Sequence, residues 1–365
     1  MVVIGTRPEA IKLAPVVREL ARRGLDVRVC ATGQHEALLD QTFRDLRLRP
    51  HRYLAVMRRN QTLAALSARL LQAMAGLLEE WDPALVVVQG DTTSTFIGAL
   101  SAFYRRVPVA HVEAGLRTGR LDAPFPEELN RSLVARMASL HFAPTAEARA
   151  NLAREGIPAR AIQVTGNTGI DSLLWAVRQP IPRRARWMPK LGRRLVLVTA
   201  HRRESFGAPL RAICAALLQL AEDSSLEIVY PVHPNPSVLG PVRNLLGGRP
   251  RVHLPPPLPY LEFVHLMKRA ALVVTDSGGV QEEAPRLGRP VLVVRDTTER
   301  AEGVRSGHAV VVGTEPAVIV RAARRALARG PRPPARNLYG DGRAARRIVS
   351  AIARLLRAER PAPRA

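Results

Sequence analysis

The strongest constraint in this chain is a rhythm. Short β-branched apolar runs alternate with longer stretches whose apolar residues recur at three- and four-residue spacing. A run that is apolar throughout, such as Ala84–Val88, needs cover on both faces. The helix-period stretches between such runs supply that cover and carry the chain back to start a parallel neighbour. The first half offers strands at Val2–Gly5, Asp26–Thr32, Ala84–Gly90, Val107–Val112, Leu140–Ala143 and Ala161–Thr165. Glu9–Arg23, Gln61–Glu80 and Thr93–Tyr104 are among the intervening helices. A second series follows at Leu195–Ala200, Leu226–Pro231, Arg251–Leu254, Leu272–Thr275, Val291–Val294 and Ala309–Val312. The two series are separated by a proline- and arginine-rich stretch between Gln179 and Arg194 that reads as a linker or surface excursion. The expected fold is therefore α/β, with two Rossmann-like doubly wound domains facing across a cleft at the carboxyl ends of their sheets. The boundaries fall at residues 1–170 and 171–344, followed by an amphipathic helix near Arg343–Arg357.

Charge and cysteine content narrow the function. The net charge is +24, which suits polyanions, anionic membranes or small anionic substrates. The arginines are spread along the chain, only Lys12, Lys190 and Lys268 are lysines, and aromatics make up 4%. That pattern lacks the stacking platforms of a single-strand binder, so specific nucleic-acid binding is not expected and a phosphate-bearing small substrate is. No apolar run reaches the roughly 18–20 residues of a membrane span. The opening Met1-Val2-Val3-Ile4-Gly5 has no signal-peptide pattern. Cys30 and Cys214 make neither a disulfide framework nor a metal site, which suggests a reduced, cytoplasmic setting.

Chemistry-bearing residues gather where the strands end. Gly5-Thr6-Arg7-Pro8-Glu9 turns from the first strand into a helix whose N-terminus favours an anion, with Arg7 and Lys12 able to add charge; a plain helix cap is the alternative. Asp91 follows a buried strand and either caps the next helix or presents a carboxylate to a ligand. His111 and Glu113, two apart, should share one face of an extended segment, and Glu127 opens a helix whose early acids complement its dipole. If Asp91, Glu113 and Glu127 converge, their repulsion would raise at least one pKa toward the range useful for acid–base work. In the second half His201 stands beside Arg202 and Arg203, and His233 follows another strand. Asp276-Ser277-Gly278-Gly279 closes a strand and opens a helix: Ser277 can cap it and the glycines let a phosphate approach the exposed N–H groups. Glu282 or Glu283, further along that helix, could accept hydrogen bonds from a ribose. No HExxH-like spacing marks a metal site, and no GxGxxG or Walker sequence occurs.

Taken together, GTRPEAIKLAPV, TGQH, QGDTTST, HVEAGLRT, PFPEELNR, TGNTGID, TAHRRESFG, YPVHPNP, DSGGVQEEAPRLGRPVLVVRDTTER and YGDG resemble the non-hydrolysing UDP-N-acetylglucosamine 2-epimerases over essentially the whole chain. The resemblance implies a GT-B arrangement, with the C-terminal helix at 345–365 packed back on the first domain. It implies reversible conversion of UDP-N-acetylglucosamine to UDP-N-acetylmannosamine: UDP is eliminated to give 2-acetamidoglucal and is then added back with C2 inverted. The catalytic residues it implies are Asp91, Glu113, Glu127 and His201. The implied UDP-sugar contacts are Arg7, Lys12, Arg131, His233, Ser277, Gly278, Gly279 and Glu283. Bacterial members bind a second substrate molecule as activator, for which Gln34, His35, Gln61 and Arg202 fall in the matching words. Glu36-Ala37 stand where the family usually has a longer polar pair, and Asn60 where some members have arginine. The family also usually has a few more residues before its first strand. The resemblance further implies a homodimer, no cofactor and a product that feeds surface polysaccharides, while the residue spacing predicts no metal and the lack of a long apolar run no membrane partner. The rival readings are a hydrolysing 2-epimerase that releases N-acetylmannosamine and UDP, a GT-B glycosyltransferase, for which no acceptor groove is marked, and an arginine-rich binding protein, which leaves the strand-end acids unexplained.

Overall fold

The computed structural model describes residues 1–33, 37–58, 61–182, 185, 193–335 and 337–358. The chain divides into two compact units: Met1–Ser172 together with the segment from Tyr339 onward, and Leu173–Leu338. Most of the proline- and arginine-rich stretch, residues 183, 184 and 186–192, lies outside the described residues.

The first unit is built on β1 (Val2–Ile4), β2 (Val29–Ala31), β3 (Arg52–Tyr53), β4 (Val86–Gln89), β5 (Val109–Val112), β6 (Leu140–Ala143) and β7 (Ile162–Val164). They pair in the order β3-β2-β1-β4-β5-β6-β7, and every pairing is parallel. The second unit carries β8 (Arg194–Thr199), β9 (Leu226–Val229), β10 (Val252–His253), β11 (Ala270–Thr275), β12 (Val291–Val293) and β13 (Ala309–Val311). Their order is β10-β9-β8-β11-β12-β13, again wholly parallel. Both are Rossmann-like sheets, as the rhythm of the sequence predicts. In each, the winding reverses at the centre, between β1 and β4 and between β8 and β11. The loops leaving those strands run to opposite sides and open a crevice at the carboxyl end of the sheet.

Each sheet is covered by helices on both faces. In the first unit Val3, Val86 and Val88 pack with Met74 and Leu78 of the helix Leu63–Trp81, Ala99 of the helix Thr93–Tyr104, and Val134. In the second, Val196, Val198, Leu272 and Val274 pack with Ile213 and Leu217 of the helix Ala208–Ala221 and Ile319 of the helix Pro316–Arg329. Burial of each such valine or leucine contributes about 1.5–3 kcal/mol, which is what fixes the strands beneath the loops.

The helix Ala344–Ala358 belongs to the first unit, where it lies against the helix Arg7–Arg22 and buries Ile348, Val349 and Ile352. Its N-terminus is capped from a distance: Asp171 accepts from the amides of Ala344 at 3.2 Å and Ala345 at 3.0 Å. Burial pushes the Asp171 carboxyl up to about 6, although both amides pull it down. Asp171→Ala should cost about 1–2 kcal/mol in urea denaturation, whereas Asp171→Asn, which keeps an acceptor, should cost well under half of that.

Candidate active site

The crevice of the first unit is organised around Glu113. Strand β5 ends at Val112, and Glu113 itself takes a left-handed backbone with φ 63°. That conformation costs a residue with a Cβ roughly 1–2 kcal/mol. The turn ends the strand alternation, so Glu113 does not share a strand face with His111 as the spacing predicts. Its carboxylate instead meets Lys12 Nζ at 2.5 Å and Asn167 Nδ2 at 3.1 Å on Oε1, and Gln89 Nε2 on Oε2. His111 is fully buried against the carbonyl of Gly90 at 2.8 Å, and burial lowers its pKa to about 3, so its part is structural. Two residues on, Gly115 has φ 89°, and its carbonyl accepts from Asn151 Nδ2 at 2.9 Å.

Asp91 follows β4 on the other side of the switch point. It does not cap the next helix: Thr92 takes that place, accepting from the amide of Thr95 at 3.2 Å. The Asp91 carboxylate is left for Arg131 Nη2 at 2.6 Å. Arg131 rises from the first turns of the helix Glu127–Met137, where Glu128 is buried and accepts from the amides of Thr118 and Gly119 at 3.0 and 3.2 Å. Burial raises the pKa of Asp91; Arg131 and Lys12 oppose the rise, and the charges of Glu113 and Glu127 add to it. Asp91 is thus within electrostatic reach of both Glu113 and Glu127, with Lys12 paired to Glu113 and Arg131 to Asp91.

Glu9 ties the two loops of this crevice together. Its carboxyl accepts from the amides of Gly5 and, at 3.1 Å, Thr6 on the β1 side, and from Thr92 Oγ1 at 2.5 Å on the β4 side. Burial pushes its pKa up to about 7 from an ordinary 4.5, against the pull of Thr92 and the two amides. A raised carboxyl pKa means the native state favours the protonated form, so this stability is full below pH 4.5 and is lost as pH rises through 7. The loss amounts to about 3 kcal/mol between pH 4 and pH 8. Glu9→Gln removes the titration. The stability gap between wild type and variant in urea denaturation should shift by that amount across the range, in favour of Glu9→Gln at high pH. A gap independent of pH would contradict the assignment.

In the second unit the crevice lies between the loops after β8 and β11. Ser277 stands at the N-cap of the helix Gly278–Arg286, but its side chain makes no capping bond, contrary to the role its position suggests. A Cβ on Gly278 would come within 2.9 Å of the Arg300 guanidinium, whereas one on Gly279 would meet nothing within 4 Å. The helix therefore starts with its amides open to an approaching group on the Gly279 side, the condition for binding an anion there. Glu282 takes Arg300 Nε at 3.0 Å, and Glu283 accepts from Tyr260 Oη at 2.9 Å. His201 and His233 stack with ring centroids 5.4 Å apart and 8° between planes. Arg202 approaches Glu204 at 3.9 Å.

Of the residues singled out for an activator, Gln34 and His35 lie outside the described residues. Gln61 accepts from the Arg58 amide at 3.0 Å and from Arg69, in the first unit, while Arg202 is in the second. Arg7 opens the first-unit helix Arg7–Arg22, one turn before Lys12. Gln89, Asn167, Glu9 and Asp276 have contacts in the two crevices but were not marked as site residues from sequence. The glycines flanking Asn167 in Gly166-Asn167-Thr168-Gly169 were the available signal for that one. Among the described residues no group of three or more potential ligands could hold a metal, and no helix is long and apolar enough to cross a membrane.

Two parallel sheets with ionisable side chains at both switch points place the chain in the class of Rossmann-type α/β enzymes. Comparison with known proteins narrows this. The family model for UDP-N-acetylglucosamine 2-epimerase matches residues 18–353. The UDP-N-acetylglucosamine 2-epimerase of Yersinia pestis is 47% identical, over 96% of this chain and 97% of the other. That of Escherichia coli K12 is 46% identical over the same shares of the two chains, 96% and 97%. A crystal structure of the Neisseria meningitidis UDP-GlcNAc 2-epimerase bound to UDP-GlcNAc superposes with a TM-score of 0.90 at 39% identity, covering 97% of this chain and 99% of that one. The chain belongs to the UDP-N-acetylglucosamine 2-epimerase family.

Proposed function

We propose that the protein interconverts UDP-N-acetylglucosamine and UDP-N-acetylmannosamine by eliminating and re-adding UDP, without releasing the free sugar. The observation that carries this is the cluster of Asp91, Glu113 and Glu127 around Lys12 and Arg131 at the first unit's switch point. Epimerisation at C2 needs one group to take the C2 proton and another to return it to the opposite face. In the forward step a base removes the proton, C1=C2 forms, and the C1–O bond breaks with its electron pair leaving on UDP. In the return step a carboxylic acid protonates C2 and the diphosphate oxygen attacks C1, so no redox equivalent or water is consumed. Glu113, charge-paired with Lys12, is suited to take a proton; Asp91, whose pKa burial raises, is suited to hold one. Glu127 stands near enough to share either task.

In the second unit, the open first turn at Gly278-Gly279 with Ser277, Glu283, His201 and His233 is the set we assign to UDP, and His201 to the departing diphosphate; in the first unit, Arg7 is assigned to the substrate's negative charge. Gln61 and Arg202, with Gln34 and His35, are the candidates for binding a second substrate molecule as activator. A cytoplasmic location suits two buried free thiols, Cys30 and Cys214. We assign a homodimer as well: Phe103 and Tyr104, 54% and 67% exposed, give the first unit an apolar surface for a second copy. Chromatography of a UDP-N-acetylglucosamine incubation tests the reaction. UDP-N-acetylmannosamine as sole product supports it, and free N-acetylmannosamine with stoichiometric UDP supports the hydrolysing alternative.

A further inference from the structure

Asp276 is fully buried at the carboxyl end of β11, where its amide donates to the carbonyl of Thr199 on β8 at 3.0 Å. Its two oxygens have different surroundings. Oδ2 accepts from the amides of His201 at 2.7 Å and Arg202 at 2.8 Å, with Ser205 Oγ at 3.4 Å. Oδ1 has no hydrogen-bond partner among the described residues and lies 3.9 Å from His201 Nδ1. A buried carboxylate oxygen without a donor is costly, and a side-chain adjustment of about 1 Å would bring the imidazole into hydrogen-bonding range. The His201 side chain is 43% exposed, so the ring is free to make that adjustment and still face solvent with Nε2.

The stacked neighbour decides where a proton would go. His233 Nδ1 accepts from the amide of Asn235 at 3.2 Å, which requires a lone pair on that nitrogen and keeps His233 neutral. Its pKa is lowered by burial and then by the charge of His201. Arg295 also feels Asp276, but its guanidinium is taken up by Glu299 at 3.0 Å and Glu204 at 2.8 Å. Tyr230 beside Asp276 donates to the carbonyl of Ala200 at 2.5 Å and stays protonated. His201 Nδ1–H is left as the donor that Oδ1 can take.

We propose that Asp276 is the positioning residue for His201: Oδ2 holds the backbone turn that carries the histidine, and Oδ1 takes Nδ1–H, so that Nε2 faces the leaving diphosphate and is protonated when negative charge develops there. This rests on the assignment of His201 to the diphosphate of the sugar nucleotide. A buried carboxylate behind an imidazole fixes its tautomer and stabilises the imidazolium.

Asp276→Asn separates this role from scaffolding. The amide oxygen can still accept the two backbone N–H groups, while the charge facing Nδ1 is gone. In the full-length enzyme, nitrogen-15 NMR of the imidazoles should show neutral His201 as the Nδ1–H tautomer. Its protonation constant should fall about tenfold in Asp276→Asn. Turnover should fall about tenfold or more in Asp276→Asn, with the melting temperature nearly unchanged, yet less than twofold further in a His201→Gln background. The opposite tautomer in wild type, measured without any variant, would overturn the proposal, as would an unchanged His201 titration. An equal loss of turnover in both backgrounds would leave Asp276 a scaffold only and overturn it too. Full activity in His201→Gln alone would instead overturn the assignment of His201 to the diphosphate, while the tautomer and titration still report on Asp276.

Discussion

Glu113→Gln is expected to lower turnover by about a hundred- to ten-thousand-fold, the range that a positioned proton-transfer group contributes. Affinity for UDP should stay within a few-fold of wild type. The substitution keeps the volume and an oxygen for Lys12 and Asn167, which now lie 2.5 and 3.1 Å from Oε1, while it removes the capacity to take a proton, the charge facing Lys12 and the oxygen that accepts from Gln89. The strained backbone at φ 63° supports the same conclusion, because strain of this kind persists where the surroundings hold a functional group in place. Steady-state turnover of UDP-N-acetylglucosamine, with calorimetric titration of UDP, separates the two effects. A variant that turns over at the wild-type rate would remove Glu113 from the mechanism.

The second large effect is on stability and arises two residues away. Gly115→Ala places a methyl group where φ is 89° and where the new Cβ runs into the backbone carbonyl of Ala148. The left-handed conformation costs an L-residue about 1–2 kcal/mol, and forcing backbone apart costs about 1–3 kcal/mol more. The sum, about 2–5 kcal/mol, should lower the melting temperature by about 5–15 °C for a unit of this size. Ala148 lies in the first turn of the helix Ala146–Arg154, whose Asn151 also bonds Gly115, so the loop after Glu113 cannot yield without moving that helix. Thermal melts of the purified variant measure this directly, and a melting temperature within two degrees of wild type would contradict the packing described.

What could be read from the sequence follows from how local its cause is. Leu140–Ala143 and Thr93–Tyr104 have the bounds that apolar periodicity predicts, because burial on both faces or on one stripe leaves a local pattern. Strand β3 was missed: Arg52 is exposed and Tyr53 only partly buried at the sheet edge, so neither carries an apolar signal. The strand order was not legible either, since Val2 pairs with Val87 and Ala270 with Leu195, far along the chain. The switch points, which explain why Gly5 and Asp91 or His201 and Ser277 face one crevice, depend on that order. Asp91, Glu113, Glu127 and His201 stood out by their places at strand ends and a helix start, but their contacts could not be read from the sequence. The left-handed turn at Glu113 runs against the preference of glutamate, and Thr92 took the cap that Asp91 could have filled. Glu9 and Asp276 looked like ordinary residues at a helix start and a strand end, and only their burial between two loops gives them roles.

The central claim is that the protein takes the proton from C2 of the sugar nucleotide and that a second group returns one to the opposite face. Proton NMR of the enzyme with UDP-N-acetylglucosamine in deuterated buffer, without added metal or nicotinamide, tests it most directly. UDP-N-acetylmannosamine carrying deuterium at C2 is the predicted result, since the abstracted proton exchanges with solvent before its return. UDP-N-acetylmannosamine that retains full protium at C2 would contradict it.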